Sequence, residues 1–309
     1  MQDIFNSKIK TYIDRLSDSA KRPNSYLFSG PAGTGKENAA FYFIQKVSGT
    51  KNVPEFMTKV EAKNHPDVLI VEPVVEEKKG KIREKEIGIS QIRTAQERLK
   101  YFPYELKQKF CVIKKAEKMN REAANALLKS LEEPTSDTYF ILLVSSVESI
   151  LPTIVSRCAV LRFSSVSRAE FFKWSQTQNI QENVAEKIWL WSGGRLGIAK
   201  KMAEDKKYLA GKEGNRTALN RIFQNQIYER FDFAESISKD KIETIVLLED
   251  WENLAQQKLT AYFEKPENQE KGRIAKLMLL IKKLREAENK LISTNANPRA
   301  TMESLVLDL

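Results

Sequence analysis

A chain of 309 residues, 41% hydrophobic and 30% charged, can bury a sizeable core in two or three domains, and no stretch of it reads as a membrane span or a signal peptide. Two cysteines and one histidine exclude a disulfide framework, a four-thiolate zinc site and a His-rich metal centre, so a cytoplasmic protein holding no metal is expected. The net charge of +10, with 27 basic against 20 acidic residues up to Phe163, suits an acidic partner such as nucleic acid and equally suits a well-solvated Lys/Glu surface.

The first half alternates short apolar runs with helical patterns, which predicts an α/β domain: a mostly parallel sheet covered by helices. The runs are Tyr26–Ser29, Val68–Val71, Phe110–Ile113, Phe140–Ser145 and Ala159–Phe163. Each is short, nearly all apolar and bounded by charge, Gly or Pro, as a strand buried on both faces requires. Between them, Ala40, Phe43, Ile44 and Val47 recur at helical spacing, and Ile89, Ile92, Ala95 and Leu99 do the same. Glu76–Glu86 is dense in charge and reads as a solvated loop or hairpin tip.

After Phe163 nothing strand-like recurs. Gly193-Gly194 separates two short helical segments, and from about Lys206 the helices lengthen. Leu248, Trp251, Ala255, Leu259 and Tyr262 form one apolar stripe. Ile274, Leu277, Ile281, Leu284 and Leu291 form another, with a turn expected between the two at Lys265-Pro266-Glu267-Asn268. These shifts divide the chain at 1–163, 164–205 and 206–309.

Gly30-Pro31-Ala32-Gly33-Thr34-Gly35-Lys36-Glu37 follows a strand and opens a helix, the context of a phosphate-binding loop. Gly30, Gly33, Thr34, Gly35 and Lys36 are the candidate nucleotide-binding residues. Glycines turn backbone N–H groups toward phosphate oxygens, the helix N-terminus adds its dipole, and the lysine reaches the terminal phosphates. Glu37 breaks the pattern, because a Ser or Thr there would offer a hydroxyl to Mg²⁺. A second departure lies at Lys114-Lys115, which follow the strand Phe110–Ile113 where phosphate-loop enzymes place the acids that hold the metal and orient water. Glu117 falls beyond the strand and does not obviously substitute. The loop is therefore expected to bind ATP weakly or not at all, and hydrolysis by this chain alone is not expected.

Asn125-Ala126-Leu127-Leu128-Lys129-Ser130-Leu131-Glu132-Glu133-Pro134 resembles the NALLKxLEEP segment of the AAA+ subunits of bacterial clamp loaders. Ser156-Arg157-Cys158, after Leu151-Pro152-Thr153-Ile154-Val155, resembles their SRC motif, and His65-Pro66-Asp67 and Asn297-Pro298-Arg299 fit the same family. The resemblance spans nearly the whole chain and is weakest between about Tyr208 and Lys290. It implies an AAA+ phosphate-loop domain with a parallel five-stranded sheet, a helical lid over 164–205 and an all-α collar over 206–309. It also implies partners: motor subunits of the gamma/tau type, a delta subunit, the sliding clamp indirectly, and primer-template DNA through the assembly.

In that family the arginine of the SRC motif reaches the nucleotide held by a neighbouring subunit. Arg157 is thus the implied catalytic group, acting in trans, with Ser156 and Cys158 around it. Lost metal-holding acids beside a retained Arg157 match a non-hydrolysing stator that needs no cofactor of its own. Two alternatives stand beside this: an active AAA+ motor, and a nucleic-acid-binding protein on a dead nucleotide fold, where Arg157 is an ordinary surface arginine. The chain departs from the family elsewhere too. No cysteine lies between Val47 and His65, so the zinc module is missing and the fold of 48–64 is open. Gly197, within Gly194-Arg195-Leu196-Gly197-Ile198-Ala199, takes the place of the lid's sensor arginine, with Arg195 offset by two. Ser145 and Ser146 either stand as polar sensors or simply end a strand. Glu132 and Glu133 sit at a helix C-terminus, where the dipole disfavours acids, and need partners from a neighbouring subunit or from solvent. His65 is expected in a loop, hydrogen-bonded to backbone. Polymerase and exonuclease chemistry have no residue constellation here, although the holoenzyme's name attaches to such subunits.

Overall fold

The computed structural model describes residues 4–308 except 20, 21, 51, 79, 80, 135, 136, 225, 239 and 265–270. The chain forms two compact units, residues 1–167 with 195–198, and residues 168–194 with 199–309.

The first unit opens with helix α1 (Ser7–Asp18), whose N-cap Asn6 accepts the Lys8 N–H at 2.8 Å. Strand β1 (Ser25–Ser29) runs into the phosphate loop and then helix α2 (Lys36–Ser48). The stretch left open by the missing zinc module carries helix α3 (Val53–Glu61), started by Asn52 at the cap and Pro54 in the first turn. Strand β2 (Val68–Val71) leads to an antiparallel hairpin of β3 (Val75–Lys78) and β4 (Lys81–Glu84), so the charged stretch is a hairpin. Its residues 79 and 80 lie outside the described residues. Helix α4 (Ile89–Leu99), strand β5 (Lys109–Ile113), a 3-10 turn at Ala116–Lys118, helix α5 (Arg121–Glu132), strand β6 (Thr138–Val144), the short helix α6 (Pro152–Val155) and strand β7 (Ala159–Arg162) complete it.

Five parallel strands stand in the order β2-β5-β6-β1-β7. Side chains alternate along each strand, so the two faces build separate cores. Tyr26, Phe28, Phe110, Val112 and Ile141 pack with α2 and α3 on one side. Leu27, Cys111, Ile113 and Leu142 pack with α4 and α5 on the other. Each such side chain contributes roughly 1.5–3 kcal/mol by leaving water. β6 stops at Val144, one residue short of the expected end, and β7 at Arg162, though the Phe163 N–H still reaches the Ser29 carbonyl at 2.7 Å. Because β1 lies between β6 and β7, the loop after it emerges among their C-terminal ends, where open α/β sheets bind ligands.

The second unit is helical: α7 (Arg168–Thr177), α8 (Glu182–Ser192), α9 (Leu196–Glu204, whose first turn groups with the first unit), α10 (Lys206–Gln224), α11 (Ile227–Ile237), α12 (Lys241–Glu264), α13 (Lys271–Ser293) and α14 (Pro298–Leu307). Leu248, Trp251 and Ala255 of one expected stripe, and Ile281, Leu284 and Leu291 of the other, are buried. The expected turn at 265–268 lies outside the described residues. The Trp251 indole donates to the Asn215 carbonyl at 2.8 Å, and Asp250 takes Lys212 and Asn215 beside it. Asn297 caps α14 by accepting the N–H groups of Arg299 and Ala300, while Arg299 bridges Glu235 and Glu303. The Asn-Pro-Arg motif thus fastens the last helix. No helix is long and apolar enough to cross a membrane, among the described residues.

Candidate functional site

The phosphate loop is tightly enclosed by backbone. Gly35 adopts φ +87°, and a Cβ there would run into the Ile4 carbonyl oxygen; a Cβ at Gly33, at φ +79°, would meet the Ile198 side chain. The Gly197 N–H donates to the Gly33 carbonyl at 2.8 Å, and any Cβ at 197 would sit 2.9 Å from that oxygen. Glycine at the sensor position therefore lets the chain close directly onto the loop. The loop also satisfies itself. The buried Thr34 hydroxyl donates to the Pro31 carbonyl at 2.8 Å, and the Lys36 ammonium donates to the carbonyls of Gly30 and Pro31. Burial pushes the Lys36 pKa below its ordinary value, with the Glu117 carboxylate pulling the other way.

The two departures from the phosphate-loop pattern meet. Lys114 Nζ lies 2.5 Å from Glu37 Oε1 and 3.5 Å from Glu72 Oε2. Burial alone would raise the Glu72 pKa, but Lys63 and Lys114 outweigh it and hold that carboxyl below its usual range. Lys115 turns away into the left-handed region, φ 51°, and pairs with Glu84 of the hairpin. Glu117, dismissed on sequence grounds, does approach this end of the sheet: its Oε1 accepts the Ser145 N–H at 3.2 Å. Ser145 is exposed, follows the end of β6 and donates this N–H to Glu117.

Arg157 lies at the other motif. Ser156 caps α6, its hydroxyl donating to the Thr153 carbonyl at 3.1 Å. Arg157 Nη1 donates to the same carbonyl at 2.9 Å and to the Ser156 hydroxyl at 3.3 Å. Its Nη2 lies 2.5 Å from Glu132 Oε1, with the two side chains 35% and 47% exposed. Glu132 thus finds its partner inside its own chain, where sequence reasoning looked to a neighbour or to solvent. Cys158 points inward against the α4/α5 core, and burial pushes its thiol up to about 12. The triplet divides its work: serine caps, arginine faces out, cysteine packs.

The remaining motif is structural. His65 is buried, and its Nδ1 accepts the Asp67 N–H at 3.1 Å; burial lowers its pKa. The buried Asp67 carboxylate gathers the N–H groups of Tyr104, Glu105 and Leu106, at 2.6–2.8 Å, and so ties down the approach to β5.

A parallel five-stranded sheet with a phosphate loop after β1, between β6 and β7, helices on both faces and an SRC-type arginine after α6 define an AAA+ domain of the clamp-loader kind. The family model described as "DNA polymerase III, delta subunit" matches residues 5–167, and the chain belongs to that family. It is 34% identical over 169 residues to DNA polymerase III subunit delta′ of Bacillus subtilis, covering 53% of this chain and 46% of that one. With the subunit delta′ of Haemophilus influenzae it shares 36% over 189 residues, 59% of this chain and 54% of the other. The chain spans about half the length of the curated relatives it matches. A solved DNA polymerase III gamma subunit-related protein from Thermotoga maritima has the same fold, with a TM-score of 0.54 over 97% of this chain and 98% of that one at 17% identity.

Proposed function

We propose that this chain is the non-hydrolysing subunit of a DNA polymerase III clamp loader, working in the cytoplasm during DNA replication and lending Arg157 in trans to the ATP site of a neighbouring gamma/tau-type motor. A delta subunit completes the assembly, and the sliding clamp and primer-template DNA are met through it. The observation that carries the reading is the Glu37–Lys114 ion pair. Where a motor places a hydroxyl and an acid around Mg²⁺, this chain places a carboxylate and an ammonium that neutralise each other. A magnesium–nucleotide would have to break that pair, draw Lys36 off two carbonyls, and leave its metal beside Lys114. Those residues do not fit the group.

Arg157 supports the other half of the reading. A guanidinium keeps its charge at any physiological pH and can bridge two phosphate oxygens, which suits negative charge building on a transferring phosphoryl group. Its surface position after a short helix leaves it accessible from outside the chain.

Two measurements test the proposal. Calorimetric titration of the isolated chain with MgATP should give no heat of binding; micromolar affinity would overturn the argument from Glu37. The ATPase of an assembly reconstituted with gamma/tau-type and delta subunits should rise when this chain is added, while the chain alone turns over nothing. Turnover by the chain alone would make it a motor instead.

A further inference from the structure

Arg157 is already engaged at the end of its fork. Nη1 is held by the Thr153 carbonyl and the Ser156 hydroxyl, and Nη2 by Glu132. A bidentate grip on two phosphate oxygens uses those same nitrogens. We infer that Glu132 is a latch: it parks the guanidinium against this chain until a polyphosphate from outside displaces the carboxylate. This inference rests on the reading of Arg157 as a group acting in trans, and it adds what controls it.

The position of Glu132 explains why it holds. It is the last residue of α5, where the carbonyl end of the helix dipole disfavours a carboxylate. Arg157 relieves that cost, so each charge has a reason to stay with the other. Solvent limits the strength, however. Both side chains are about a third to a half exposed, and exposed pairs bias an equilibrium by roughly 1.5- to 5-fold. The latch is therefore weak enough for a phosphate to open. Thr153 and Ser156 belong to the same short segment as Arg157, so they keep the side chain local once Glu132 lets go. Glu132 is a positioning residue and touches no substrate.

The test uses the assembly reconstituted with gamma/tau-type motors and a delta subunit, with MgATP as the probe. Glu132→Gln keeps the shape and removes the charge. The half-saturating MgATP concentration should fall roughly 1.5- to 5-fold, with little change in kcat, because a competitor of the phosphate has gone. The gap between variant and wild type should shrink as NaCl rises from about 50 to 500 mM, since salt screens the wild-type pair; a mere packing defect has no such dependence. In an Arg157→Ala background, Glu132→Gln should do nothing. Unchanged half-saturation in Glu132→Gln, with Arg157→Ala still impaired, overturns the latch and spares the in-trans reading. A Glu132→Gln enzyme as slow as Arg157→Ala makes Glu132 a support and also overturns the latch. If Arg157→Ala itself has no effect, the underlying reading fails and the latch falls with it.

Discussion

The phosphate loop and the Ser156–Cys158 turn both hold cations against partners from the same chain, but they hold them in opposite ways. Lys36 is folded back on two carbonyls of its own loop, and Lys114 is only 21% exposed between two carboxylates. Around them backbone approaches Gly35 and Gly197, and the Ile198 side chain approaches Gly33, so closely that none has room for a side chain. Arg157 has one carboxylate, one carbonyl and one hydroxyl, all on the surface. Lys36 and Lys114 each keep a second partner when one is lost. At the turn the one anionic contact, Glu132, is exchangeable with a ligand of the same charge. The difference lies in burial, Lys114 being 21% exposed and Arg157 35%, and in the surface setting of the Arg157 contacts, rather than in the presence of a motif.

Breaking the closed end should cost most. Gly35→Ala forces an alanine to φ +87° and drives its Cβ into the Ile4 carbonyl, so urea denaturation should show a loss of roughly 2–4 kcal/mol. A loss below about 1 kcal/mol would mean that the loop is looser than described. Arg157→Ala should leave stability within about 0.5 kcal/mol of wild type. In the reconstituted assembly it should lower ATP turnover several-fold, well below the roughly 10³–10⁵ of single-site arginine fingers, because other subunit boundaries keep theirs. Arg157→Lys should not restore the rate, since an ammonium lacks the planar fork. Normal turnover and clamp loading by Arg157→Ala would erase the contrast between the two regions.

Smaller effects sharpen it. Glu37→Gln should cost only about 0.5–1 kcal/mol, because Lys114 keeps Glu72 at 3.5 Å. A loss of several kcal/mol would show Lys114 to be far less solvated than its exposure indicates. Lys36 gives the smallest signal and a definite sign. Its folded pKa lies below the unfolded one, so the unfolded chain binds more protons in the window between them. Stability contributed by this group is therefore present above the unfolded value near 10.5 and lost as pH falls through the folded value. Compared with Lys36→Met, the wild type should gain stability as pH rises toward 10.5, measured as the difference between the two denaturation curves.

All five sheet strands were readable because a strand buried on both faces is a short, nearly all-apolar run bounded by charge, Gly or Pro, as Phe110–Ile113 is. Their spatial order was not, since nothing in an apolar run says which neighbour it takes. Helix α1 went unannounced although Ile9, Tyr12, Ile13 and Leu16 recur at helical spacing behind the Asn6 cap, and α3 hid in a stretch judged by what it lacked, although Asn52 and Pro54 mark its start. The loop and Arg157 were legible as motifs with fixed spacing. What joined them to their partners was not. Glu37 and Lys114 were each read as a defect, and only the juxtaposition of the start of α2 with the end of β5 turns two defects into one ion pair. Glu132 and Arg157 likewise belong to different segments, and helix chemistry announced the acid's need without naming its partner.

The self-satisfied loop has a consequence for thermodynamic linkage. A protein that binds a nucleotide in its folded state gains stability with the logarithm of nucleotide concentration, and so registers the cell's energy charge in its own folding equilibrium. Lys36 and Thr34, spent on the carbonyls of Gly30 and Pro31, give this chain no such term under the proposed function. Its melting temperature should be flat against added MgATP or MgADP. It would then present the same surface to its neighbours before and after each turnover, a fixed reference in a machine whose other parts change with the phosphate they hold.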